Sequence, residues 1–363
     1  MDLKDEDDQN PENPEDIVID SDSEDSIEAV FPSSEIQAHS DSVCSVSFHP
    51  TSSDIYSSGG IDDIAFLYTQ NEAKELSGHT DSIIAVSFSN CGEFLAVASM
   101  DGTITIWNAQ NGDNIAKYEG PTEEILSISW HPRLPSLCAL SNDLSLWVWH
   151  TRKNSPVAVI YGHPLSIAKF GPAGRYIYAG GKDGSIKVWD MKSEGFENAP
   201  PHCTIQGKDI HNDEVISIDM HNGGIIVSGS KDGCVGLINF NSKKIITKIK
   251  VCEESIESVE FCKEMMWFLV AAMNGELRVY ECDSLNTRCT IQVGMGIVKA
   301  IWVGFDIYVG GLEGLLEHYD GRSGQRVRKF SGTKETVLDF DVKHSKIIGG
   351  SEDHKLFIWT LIG

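Results

Sequence analysis

The sequence predicts an all-β propeller, most simply of eight blades, and three observations carry that prediction. A unit of about forty residues recurs eight times, each unit holds three apolar strand patterns, and a tight Asp-Gly-type turn precedes the third of them. The clearest unit reads Gly78-His79, Ile83 to Phe88, Leu95-Ala96-Val97-Ala98-Ser99, Asp101-Gly102 and Ile104-Thr105-Ile106-Trp107. A second runs through Gly162-His163, Ile167 to Phe170, Tyr176 to Gly181, Asp183-Gly184 and Ile186-Lys187-Val188-Trp189-Asp190. The last landmark of each unit falls at Tyr68, Trp107, Trp149, Trp189, Ile238, Tyr280, Tyr319 and Trp359, at spacings of 39, 42, 40, 49, 42, 39 and 40 residues.

This is the period of WD repeats, in which three strands and a linking fourth make one blade. The fifth unit puts Ile238 where an aromatic is expected, and the sixth turns at Asn274-Gly275. Both keep the period-two alternation of strands, as in Leu277-Arg278-Val279-Tyr280, and count as blades. The one long spacing is filled by Ser193 to His202, read as a surface excursion in which Phe196 packs against its own blade.

The last unit ends after its third strand, which leaves an edge to be covered. The apolar residues around Ile27, Val30, Phe31 and Ile36 precede the first unit, so an N-terminal strand is expected to complete the C-terminal blade. Ahead of them, residues 1 to 28 hold 13 acidic side chains and one lysine. Such a stretch buries too little apolar surface to offset its ordering entropy. The expected organisation is therefore a disordered acidic tail over 1–27 and a single WD40 β-propeller domain over 28–363. Ser21, Ser23 and Ser26 sit among the acids of that tail, where phosphorylation would deepen its charge.

The recurring polar residues have a structural duty. A turn Asp accepts hydrogen bonds from a histidine in the preceding loop and from nearby backbone, and a strand hydroxyl and an aromatic complete a buried relay. His79, Ser99, Asp101 and Trp107 fill the four places. The same residue types recur from blade to blade, whereas a catalytic trio occurs once, at a cleft.

No enzyme chemistry is legible elsewhere. Gly332-Thr333-Lys334-Glu335-Thr336 lacks the upstream glycine of a phosphate loop, Gly294-Met295-Gly296 lacks a third glycine, and no His-Glu-x-x-His pair is present. No catalytic residue, cofactor or metal is expected. The nine cysteines show no zinc-knuckle spacing and sit in or beside apolar strands, as reduced thiols do. No apolar run is long enough to span a membrane, and the N-terminus resembles no targeting signal, so a cytoplasmic protein, also nuclear, is expected.

Net charge is −25, and after the first 28 residues 41 acids still face 28 bases. A nucleic acid would be repelled, so a basic protein or peptide is the favoured partner of a monomer. The loop before each first strand and the turn between the second and third emerge on one face. They collect Asp41, Asp62, Asp63, Asp81, Glu123, Glu124, Asp213, Glu214, Glu253, Glu254, Glu335, Glu352 and Asp353 against Lys182, Lys231 and Lys334.

Several ordered segments carry a resemblance to a known family: Gly59-Gly60-Ile61-Asp62-Asp63-Ile64-Ala65-Phe66, Trp130-His131-Pro132-Arg133-Leu134-Pro135 leading to Trp147-Val148-Trp149, and Asp320-Gly321-Arg322-Ser323-Gly324. With Gly78-His79-Thr80-Asp81-Ser82, Glu257-Ser258-Val259-Glu260-Phe261-Cys262 and Ser351-Glu352-Asp353-His354-Lys355 they span nearly the whole chain. The chain resembles the WD-repeat family of the angio-associated migratory cell protein and the fungal ribosome-assembly chaperone. The fungal branch implies a dedicated chaperone that grips the N-terminal segment of a basic large-subunit ribosomal protein on an acidic propeller face. The animal branch implies the alternative, a signalling or ubiquitin-pathway scaffold related to cell migration. Asp41, Asp62, Asp63, Asp81, Glu124 and Asp213 are the candidate partner contacts, Asp62 also standing where a relay carboxylate belongs.

Overall fold

The computed structural model describes residues 18–20, 28–70, 72–153 and 155–361. They form eight sheets arranged as the blades of a propeller. Blade 1 runs outward through Val43–His49, Ser52–Gly60, Ala65–Tyr68 and Ala73–Leu76, each strand antiparallel to the last. The inner strands of blades 2 to 7 are Ile83–Phe88, Ile125–Trp130, Leu165–Phe170, Val215–Met220, Ile256–Phe261 and Ile297–Val303. Blade 8 consists of Val337–Lys343, Lys346–Ser351 and Lys355–Thr360, and its fourth strand is Ser34–Gln37 from the start of the chain. That strand is antiparallel, with Ser34 opposite Ile358 and Gln37 opposite Lys355, as the sequence pattern anticipates.

The hydrophobic core lies between blades. Leu67 and Leu76 of blade 1 pack with Ile83, Val86, Leu95 and Trp107 of blade 2, and equivalent clusters fill the other junctions. Each fully buried aliphatic or aromatic side chain of this kind contributes about 1.5–3 kcal/mol. Close approach of neighbouring sheets fixes small residues at the end of the second strand. A Cβ on Gly180 would stand 2.5 Å from Val215 Cγ1, inside the van der Waals limit.

Polar side chains tie the inner strands together around the axis. Val46 N and Phe48 N of blade 1 donate to Asp339 Oδ2 and Asp341 Oδ2 of blade 8, both at 2.7 Å, and close the ring. Lys299 Nζ of blade 7 reaches Asp339 Oδ1 at 2.6 Å and the Phe340 carbonyl at 2.8 Å. Burial acts against the Lys299 ammonium, but Asp339 and Asp341 outweigh it and raise its pKa. Between blades 6 and 7, Trp302 N donates to Glu260 Oε2 at 2.8 Å, and burial pushes the Glu260 carboxyl up to about 7.

Two further strands come from the N-terminal segment. Ala29–Val30 pairs in parallel with the outer strand of blade 7, Arg326–Phe330, and Val18–Asp20 pairs in parallel with the outer strand of blade 6, Thr287–Gln292. The expectation of a free tail over 1–27 therefore fails at Val18–Asp20. Ile17-Val18-Ile19 is a short β-branched run, and an open sheet edge offers it unpaired backbone groups. The rest of 1–27 lies outside the described residues. All nine cysteines are thiols. Phe196 is buried, in the cluster between blades 3 and 4 that also holds Trp189 of its own blade. The short helix Gly207–Ile210 that precedes blade 5 was not legible in the strand pattern.

Candidate functional site

One backbone hydrogen bond repeats at all eight blades and defines a face. The residue after the second strand donates to the carbonyl of the residue before the first. The pairs are Ile61 to Ser42, Met100 to Ser82, Asn142 to Glu124, Lys182 to Pro164, Lys231 to Glu214, Met273 to Ser255, Leu312 to Gly296 and Glu352 to Thr336, at 2.8–3.1 Å. Each inner strand also slips register by one residue at this end, a bulge that bends the backbone around the mouth of the axial channel. The entry loops and second turns thus share one rim, as the sequence reading required.

One residue earlier in the chain than each of those carbonyls, the rim carries a carboxylate in six blades: Asp41, Asp81, Glu123, Asp213, Glu254 and Glu335. All six are exposed. Asp41, Asp81 and Asp213 occupy equivalent places, and each accepts the next backbone N–H, from Ser42 at 2.7 Å, Ser82 at 2.8 Å and Glu214 at 2.7 Å. That bond uses one oxygen and leaves the other facing water. Glu124 follows Glu123 in the chain and is half-buried. The ring is interrupted at blade 4, where His163-Pro164 precedes the inner strand, and at blade 7, where Met295 stands.

Among the described residues no ion pair engages these six carboxylates; the nearby lysines meet other groups. Lys231 pairs with Glu214 at 2.6 Å and Lys250 with Glu253 at 3.0 Å, while Lys182 is bonded to Asn142. Beside the carboxylates the same rim carries apolar residues: just after the second strands Ile61, Met100 and Leu312 are exposed and Met273 is half-buried, and Met295 is exposed at the ring position of blade 7. The acids were legible in the sequence. This apolar set was not sought there, although an apolar residue just after the second strand in four of eight units was its signal.

Two of the candidate contacts have other roles. Asp62 belongs to the interior of blade 1: Oδ1 lies 2.9 Å from His39 Nδ1, Oδ2 accepts Ser40 N at 2.8 Å, and His39 Nε2 lies 2.8 Å from Ser58 Oγ. Its side chain is 7% exposed, so it is withdrawn from the partner-facing set. Asp63 takes the left-handed turn position at φ 66°, where Gly102 stands in blade 2. It is half-buried on the rim, and its identity answers first to the turn.

The relay of blade 2 differs from expectation by one residue. His79 Nδ1 lies 3.0 Å from Asp101 Oδ2, and Nε2 lies 2.9 Å from Thr105 Oγ1, which also accepts Trp107 Nε1 at 2.8 Å. Ser99 stands outside this chain, donating to the Asp81 carbonyl at 2.7 Å and accepting Asp101 N at 3.0 Å. Thr105 and Trp107 are two apart on one strand and so share a face, whereas Ser99 ends the second strand and caps the loop. Burial lowers the His79 pKa more than Asp101 raises it. Burial alone would raise Asp101, but hydrogen bonds from Thr103 and Thr80 hold it below its ordinary value. In blade 5, burial depresses His211 to about 4 beside Asp232.

Blades 6 and 7 replace the relay by buried ion pairs. Arg278 Nε donates to Glu276 Oε1 at 2.6 Å and Nη1 reaches the Tyr280 hydroxyl at 3.2 Å. Arg326 Nη1 meets Glu317 Oε1 at 3.2 Å, while Tyr319 OH donates to Glu317 Oε2 at 2.5 Å. Among the described residues no group of three or more His, Cys, Asp or Glu is placed to hold a metal ion.

Comparison with known proteins fits this geometry. Residues 31–69, 70–108 and 154–190 match the family model described as WD domain, G-beta repeat; each match takes in the outer strand of one blade and the three inner strands of the next, blades 1, 2 and 4. The chain carries WD40 repeats. It is 26% identical to the human angio-associated migratory cell protein over 348 residues, covering 89% of this chain and 78% of that protein. It is 22% identical to the ribosome assembly protein SQT1 of Saccharomyces cerevisiae over 387 residues, covering 96% and 89%. The crystal structure of Chaetomium thermophilum Sqt1 bound to the N-terminus of the ribosomal protein L10 superposes with a TM-score of 0.82 at 21% identity, covering 91% of this chain and 99% of that one.

Proposed function

We propose that this chain is a non-catalytic binding protein that holds a basic segment of a large-subunit ribosomal protein on its carboxylate-rimmed mouth during ribosome assembly. The observation that carries the reading is the ring itself. Six blades present an exposed carboxylate at one equivalent place on one rim, beside the apolar residues that follow the second strands. Like charges set around a low-dielectric mouth focus potential and raise the capture rate of a cationic guest. Those apolar residues add a requirement that charge alone does not: a guest whose lysines or arginines alternate with apolar side chains leaves neither set unmatched.

The similarity to a ribosome assembly protein, and to a structure holding the N-terminus of a ribosomal protein, supports the same partner class. Such a chaperone needs no nucleotide, since rRNA competes for the guest's cations and drives its release. On this reading the protein works in the cytoplasm and also in the nucleus, as a monomer.

The test is affinity purification of the tagged chain followed by mass spectrometry. One dominant basic ribosomal protein, lost on washing at high salt, is the expected result. A broad set of partners without basic character overturns the proposal in favour of the scaffold reading.

A further inference from the structure

We infer that residues 1–17 of the chain dock along the outer edge of blade 5, continuing a belt that the N-terminal segment already lays across blades 8, 7 and 6. Followed backward, the chain adds Ser34–Gln37 to blade 8, Ala29–Val30 to blade 7 and Val18–Asp20 to blade 6. The next edge on this course is Lys244–Lys250, the outer strand of blade 5. Among the described residues no strand lies outside it. Ten residues separate Ile19, opposite Ile291 on blade 6, from Ala29, opposite Lys329 on blade 7. The 17 residues before Val18 exceed that span, so the same stride reaches blade 5 near Asp7-Asp8-Gln9.

Charge points the same way. Basic side chains gather on the outer strands under the belt: Arg328 and Lys329 on blade 7, beside an Arg326 already paired with Glu317, and on blade 6 Arg288, which pairs with Glu281. The edge of blade 5 continues them with Lys244, Lys248 and Lys250, preceded by Lys243. The outer strands of blades 1 to 4 gather no such cluster. Among the described residues no carboxylate pairs with Lys243 or Lys244, and Lys248 meets only Asp232, at 3.8 Å. Residues 1–17 offer eight acids, four of them consecutive in Asp5-Glu6-Asp7-Asp8. Ile245 and Ile246 are exposed on this strand, an open apolar edge of the kind that pairs with other chains when left bare. The tail is thereby a cover for the last basic edge, and it works independently of the face that binds the client.

Two measurements on the full chain and on a chain lacking residues 1–17 test this. Zero-length carbodiimide coupling of the full chain is expected to join Lys243, Lys244 or Lys248 to Asp5, Glu6, Asp7 or Asp8, and high salt should abolish it. Amide exchange across 244–250 is expected to be about tenfold faster in the truncated chain and in the K243E/K244E/K248E variant. Equal exchange rates in all three overturn the inference. So do couplings that join two copies in a mixture of isotopically light and heavy protein, because the edge is then covered by a second molecule.

Discussion

The triple substitution Asp41→Asn, Asp81→Asn, Asp213→Asn separates the proposed client face from the scaffold beneath it. In each loop the carboxylate accepts the following backbone N–H at 2.7–2.8 Å, and the carbonyl oxygen of asparagine keeps that bond. Only charge is removed. All three groups are exposed, so each ion pair with a bound cation is worth roughly 0.2–1 kcal/mol after screening. Three together amount to about 1.5 kcal/mol, or about a tenfold rise in Kd. The assay is fluorescence anisotropy with a labelled peptide from the N-terminus of the ribosomal protein L10, repeated across salt concentrations. The variant should also show a shallower dependence of log Kd on log salt, since fewer charges are matched. Its Tm should equal that of the parent. Asp62→Asn is the internal control. There the amide nitrogen replaces an oxygen: opposite Ser40 N it leaves a donor facing a donor, and opposite His39 Nδ1 it forces the ring proton onto Nε2, at a cost of about 1–3 kcal/mol in stability. Unchanged peptide affinity in the triple variant refutes the carboxylate ring as the binding face; lost affinity at unchanged Tm in Asp62→Asn refutes its assignment to the blade interior.

Thr105→Val should lower stability by about 1–3 kcal/mol, because His79 Nε2 and Trp107 Nε1 both lose their partner, and chemical denaturation should show a larger loss than for Ser99→Ala. Glu260→Gln should raise Tm at pH 8 and leave it nearly unchanged at pH 5. The folded pKa of about 7 lies above the ordinary 4.5, so ionisation of Glu260 costs stability progressively as pH rises through that window. His211 acts with the opposite sign: its folded pKa of about 4 lies below the ordinary 6.5, so stability is lost as pH falls from 6.5 toward 4, and His211→Gln should flatten that limb of a Tm-versus-pH curve. Lys299→Met leaves Asp339 without its 2.6 Å cation and Asp341 without its nearby charge; the pair is half-buried and partly screened, so the loss by urea titration should be about 1–3 kcal/mol.

The blade count and the closing strand were legible because both rest on period: a forty-residue repeat and a two-residue alternation survive even where Ile238 or Asn274 breaks the motif. The relay was legible to within one hydroxyl. Ser99 and Thr105 are alike in chemistry, and only strand register decides which of them meets His79. Asp62 and Asp63 form the reverse case, two adjacent acids that a charge count treats as one patch and the turn divides into a buried relay member and a rim residue. The Glu276–Arg278 and Glu317–Arg326 pairs went unseen, although charges at alternating positions of buried strands were the available sign. Val18–Asp20 was hidden by composition, since three apolar-rich residues among acids weigh little until an open sheet edge is there to receive them.

Sharing blade 8 between an N-terminal strand and three strands from the other end of the chain sets an order on synthesis. While the ribosome translates this chain, Ser34–Gln37 is out early and waits for Lys355–Thr360, whose carbonyls and amides it must meet. Seven blades can stack as they emerge, but the rim stays an open arc until the eighth arrives. Under the proposed function, a nascent or truncated copy therefore offers a cationic guest only a partial crescent, and tight capture is reserved for finished molecules.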